Sequence, residues 1–151
     1  MDTEPVPVEP RVWEAITLKE AVDILIVEDS RFTGFARFIV NIRFFWSTMI
    51  STACAGDGFI FFNPLFYEQL PVESRKTVIA HEIWHLILKH LERGEGYDPL
   101  THNIAADHVI NISLEDDGFT FEDAHPTLDR KYSGMSTEQI YDVIWKKRAD
   151  E

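Results

Sequence analysis

The chain has 151 residues, 45% of them apolar, with 11 Phe, 4 Trp, 4 Tyr and a formal net charge of −12. That length and apolar content give one globular domain with a full core and exclude a disordered chain. The acidity, with no basic patch, argues against nucleic acid. No apolar stretch reaches membrane-spanning length, and Cys54 alone cannot form an intrachain disulfide, which suits a reducing, cytoplasmic setting.

Residues 1–10 are acidic and proline-rich and are expected to form a disordered arm, without the basic start and apolar run of a signal peptide. Residues 11–151 are expected to form a single domain. Thr17 and Glu20 frame a capping box that opens a helix to about Glu28, with Ala21, Ile24, Leu25 and Glu28 on one face. Phe32, Phe35, Ala36 and Ile39 have helical spacing, whereas Ile42, Phe44 and Trp46 alternate, so a short helix gives way to a strand near Ile42. Residues 47–55 form a second extended candidate. Gly56-Asp57-Gly58 is a turn, and Phe59–Phe62 is an apolar strand bounded by Asn63-Pro64.

Residues 65–70 form a short helix. Pro71-Val72-Glu73 then opens a long one, ended by Gly94 and Gly96. Asp98-Pro99, a cap followed by a first-turn proline, opens a helix to about Leu114. Residues 119–135 read as loop, with a short strand at 119–121. Ser136 and Gln139 frame a last capping box, and Ile140, Val143 and Ile144 of the helix behind it face inward. The fold class is α+β: a small, mostly antiparallel sheet packed on the long helix, with further helices.

The long helix is apolar almost all the way round, as a buried helix is. Two histidines and a glutamate in its middle need a reason there. His81 and His85 stand one turn apart on one face and can put two imidazole nitrogens on one metal ion. Glu82, about 100° round the helix, is positioned to reach a water on that metal. His-Glu-x-x-His on a helix is the metal-hydrolase arrangement, two ligands and one general base. Zinc is the metal expected, although a set of two histidines and a carboxylate also accepts manganese, cobalt or iron.

A catalytic zinc wants a third protein ligand. Asp107 is the choice, in a polar stripe of Asn103, Asp107 and Asn111 along the next helix. His102 and His108 are rival ligands, or residues that stand beside the site or touch substrate, as do Asn103 and Asn111. His90 lies about 140° round the helix from His85 and faces away, with a supporting role expected.

The run HEIWHLILKHLERG from His81 and the run NIAADHVIN from Asn103 resemble the zinc metallopeptidase domain of bacteria and phages that often precedes a von Willebrand A-type domain. FIFFNPLFYEQL before the metal helix and YSGMSTEQIYDVI near the end extend the resemblance over roughly residues 17–145. His102 stands where that family often has an aromatic residue. The resemblance implies a zincin-like fold for residues 11–151, His81, His85 and Asp107 as zinc ligands, Glu82 as base, and a peptide or protein as substrate. The strand Phe59–Phe62, edging the cleft as in zincins, would pair with an extended substrate. His102, His108 and Tyr97 are candidates for the oxyanion donor. The rival expectation is an inactive, zinc-stabilised binding or regulatory module, phage-encoded and acting in the host cytoplasm. In that case His102 or His108 closes the coordination sphere.

Overall fold

The structure is a computed structural model and describes residues 12–89, 93–121 and 126–150. The arm expected over residues 1–10 lies outside them, as does His90. Three short strands make the sheet: β1 (Arg43–Trp46), β2 (Ala53–Gly56) and β3 (Phe59–Phe62). Asp57 and Gly58 both take positive φ, 52° and 81°, which makes the two-residue turn whose twist matches the strands it joins. That turn closes β2 and β3 into an antiparallel hairpin, in register from Gly56↔Phe59 to Ala53↔Phe62.

β1 pairs with the other side of β3 in parallel, giving the order β1-β3-β2. The sheet expected to be mostly antiparallel is therefore mixed, with one pairing of each kind. The order also corrects the expectation that Phe59–Phe62 edges a cleft. β3 is the central strand, hydrogen-bonded on both sides; β1 and β2 are the outer strands, and β2, which among the described residues pairs only with β3, lies beside the long helix.

The helices are α1 (Val12–Ala15), α2 (Leu18–Ile26), α3 (Ala36–Ile39), α4 (Pro64–Gln69), α5 (Val72–Ile87), α6 (Pro99–Asp116) and α7 (Thr137–Ala149). Single 3-10 segments lie at Ser30–Phe35 and Arg130–Tyr132. Side-chain caps start several helices: Thr17 accepts from the Glu20 amide, Asp98 from the Thr101 amide, and Ser136 exchanges bonds with Gln139 in a full capping box.

Three expectations about these elements fail. α5 stops at Ile87 because Lys89 itself takes the left-handed conformation (φ 52°), well before Gly94. No strand forms at 119–121. Gly118 is left-handed (φ 89°), and the Phe119 amide donates to the Leu114 carbonyl at 2.9 Å, so this backbone closes the end of α6 rather than joining a ladder. In α2 the buried stripe is Leu18, Ala21 and Val22, and Ile24 is 70% exposed.

One face of the sheet (Phe44, Ile60, Phe62) packs with Ile79, Ala80 and Ile83 of α5 and with Ile110 and Leu114 of α6 in one core. A second cluster joins α6 to α7 through Ala105, Ile112, Ile140 and Tyr141. No residue from Ser74 to Leu88 is exposed, so beyond its first two residues α5 is buried or half-buried all round, in keeping with its apolar sequence. Among the described residues, no helix is long and apolar enough to cross a membrane.

Candidate metal centre

The middle of α5 faces the middle of α6. The 3.6-residue period sets His81 and His85 one above the other, and Asp107 of α6 reaches between them. Asp107 Oδ1 lies 3.1 Å from His81 Nε2 and 3.2 Å from His85 Nε2. The two Nε2 atoms are 3.1 Å apart. Three potential ligand atoms from two helices thus form a nearly equilateral triangle.

A tetrahedral zinc with bonds of about 2.05 Å separates its ligand atoms by about 3.3 Å. The triangle therefore fits such an ion with one corner left over, and His81, His85 and Asp107 could hold a metal.

Neighbouring groups fix the ligands. His81 Nδ1 donates to Asn111 Oδ1 at 2.8 Å, which fixes the ring with Nε2 facing Asp107. The Asn111 amide donates in turn to the Thr127 carbonyl at 3.0 Å, so its own orientation is set. This chain of bonds is the usual support of a metal-binding imidazole.

The electrostatics are those of a coupled cluster. Burial works to raise the Asp107 carboxyl, but hydrogen bonds from His81 and His85 outweigh it and bring the group to about 2. Burial works to lower His81, and the Asp107 hydrogen bond with the charges of Glu82 and Asp107 outweighs that, so His81 sits above its ordinary value. Glu82 is buried. Burial raises its carboxyl, against the pull of both histidines. Without a cation nearby, that buried carboxylate is costly to ionise.

The other residues singled out in the sequence divide. Asn111 is in contact with His81. Asn103 is exposed, and its amide stands 3.4 Å from Asp107 Oδ2, a long contact. His102 is buried, its ring 5.6 Å from that of Tyr97. His108 is turned away from the triangle: its Nδ1 accepts the Asp129 amide at 3.1 Å and its ring packs 4.8 Å from Tyr132. It braces the 3-10 turn, and burial pushes it below its ordinary value. Among the described residues, neither rival histidine joins the triangle.

The sequence reading missed the space beside the triangle. A cavity of about 660 Å³ opens at His85 and reaches Ala55 on β2 and His102 on α6. No local pattern in the sequence announces it, because its walls come from four separate segments.

No curated protein and no solved structure matches the chain. The family described as "Putative metallopeptidase domain" matches residues 15–151. The match spans the sheet, both helices of the triangle and α7, and the chain belongs to this family of metallopeptidase domains.

Proposed function

We propose that the chain is a zinc-dependent endopeptidase, with zinc held by His81, His85 and Asp107. The observation that carries the reading is the triangle of two imidazole nitrogens and one carboxylate oxygen, 3.1–3.2 Å on each side, next to a buried glutamate. When bound, zinc supplies a Lewis acid for the scissile carbonyl and lowers the pKa of water toward neutrality.

The protein's own groups do the rest. Glu82 accepts the proton of the attacking water on its carboxylate and returns it to the leaving amine nitrogen. Asn111 holds His81 in the tautomer that leaves Nε2 unprotonated. The outer edge of β2 offers backbone hydrogen bonds to an extended peptide, the role first given to β3. A purely structural zinc prefers four protein ligands. The engagement of His108 with Asp129 and of His102 with Tyr97 favours the open, catalytic arrangement.

The test is cleavage of a mixed library of quenched fluorescent peptides by the zinc-loaded chain. Cleavage is expected, to be abolished by 1,10-phenanthroline and restored by added zinc. Cleavage that survives complete removal of metal overturns the reading. The role of Asn111 gives a second expectation: Asn111→Ala weakens zinc binding by about 10–100-fold, measured by competition with a chromophoric chelator. Unchanged affinity means that the bond to His81 does not orient the ligand.

A further inference from the structure

The cavity at His85, about 660 Å³, has room for a large side chain with space to spare. Phe38 and Ile42 bound it from before and at the start of the sheet, Ala55 from β2, Leu86 from α5 and Ala106 from α6. These walls are apolar. Its charged lining residues, Asp57, Lys89 and Glu95, carry both signs and so favour neither charge in an occupant. Phe38 is 46% exposed, so a large ring lines the cavity while much of its surface is still in water. Covering that surface favours an apolar occupant.

The pairing of β2 indicates which part of a peptide reaches this space. Ala55 pairs with Ile60 and faces the core side of the sheet, whereas Cys54 pairs with Phe61 on the other side. A peptide added to the outer edge of β2 alternates in the same way. Its residue opposite Ala55 directs its side chain to Ala55's side, where the cavity lies, and the residues flanking it point to the side of Cys54. His85 lines the same cavity, so that position adjoins the proposed metal ligands.

Resting on the peptidase reading, we infer that this cavity receives one bulky apolar side chain of the substrate beside the bond to be cleaved. Phe38 and Asn41, both exposed residues of its wall, set how large that side chain is. The substrates are extended peptides with a residue such as Leu or Phe at this position.

Binding tests this without turnover. Zinc-loaded Glu82→Gln protein is titrated by fluorescence anisotropy into blocked, labelled peptides that differ only in one scanned residue: Ala, Leu, Phe or Glu. At one position the Leu or Phe peptide is expected to bind about tenfold more tightly than the Ala or Glu peptide. Adding Asn41→Trp, which fills the cavity from an exposed site, brings the Leu and Phe peptides down to the Ala level and changes the Ala peptide by less than about twofold. Adding Phe38→Ala also weakens the preference, with circular dichroism confirming the fold of both variants. Equal binding of all peptides, binding of none, or a preference that survives both wall variants overturns the inference. A clear preference alongside a wild type that cleaves nothing strikes the peptidase reading alone. Cleavage with no preference strikes the cavity alone.

Discussion

Glu82→Gln is expected to lower kcat/KM for peptide cleavage by about 10²–10⁴-fold, the range that a positioned base contributes, while zinc content stays at the wild-type level. The substitution keeps shape and removes only the capacity to take a proton. Glu82 is not a member of the ligand triangle, so the ion should stay. It is also buried, with its carboxyl raised by burial, so replacing it with a neutral amide takes away a charge that folding must desolvate. The metal-free variant should therefore melt no lower than the metal-free wild type. Those three readings separate the explanations. Lost activity with full zinc and a melting temperature no lower than wild type supports the base. Lost activity with lost zinc indicates damage to the ligand set. Activity within about tenfold of wild type, a loss smaller than any positioned base produces, removes Glu82 from the mechanism.

What could be read from the sequence was what depends on neighbours within a turn or two. His81 and His85 share a face because of the helical period, and Asp98 and Ser136 announce helix starts because a cap bonds backbone three residues on. Gly56-Asp57-Gly58 announces a turn, and its last two residues take the positive φ that closes the hairpin. The misses depend on distant partners. Phe59–Phe62 has the same apolar pattern whether it is central or at an edge, and only the parallel pairing with β1 makes it central. Phe119 has strand-like neighbours, yet its amide is taken by Leu114 and its ring packs against Phe32 at 5.5 Å. His108 looked like a ligand by residue type. Its partner Asp129 lies 21 residues further on, beyond any helical pattern.

Asp107→Ala should reduce zinc binding by more than the roughly 100-fold typical of losing an outer supporting partner, so that protein purified without added zinc carries little metal. Asp107 is the one ligand of the triangle that comes from α6. Without it, two neutral imidazoles on one turn of α5 must hold a dication with no opposing charge. Asp107→Asn separates charge from shape. If the carboxylate matters as an anion, Asn fails nearly as badly as Ala; if a neutral oxygen suffices, Asn retains metal. The metal-free proteins provide an independent readout. His81 lies above its ordinary pKa in part because Asp107 accepts its hydrogen bond, while burial works the other way. In Asp107→Ala the burial effect gains ground and the His81 pKa should fall, which an NMR titration of the imidazole detects without any metal. A fall in the His81 pKa together with loss of zinc ties the same contact to both properties. Wild-type zinc content in Asp107→Ala would leave the triangle as an ordinary hydrogen-bonded cluster, and the proposed chemistry would need a different third ligand.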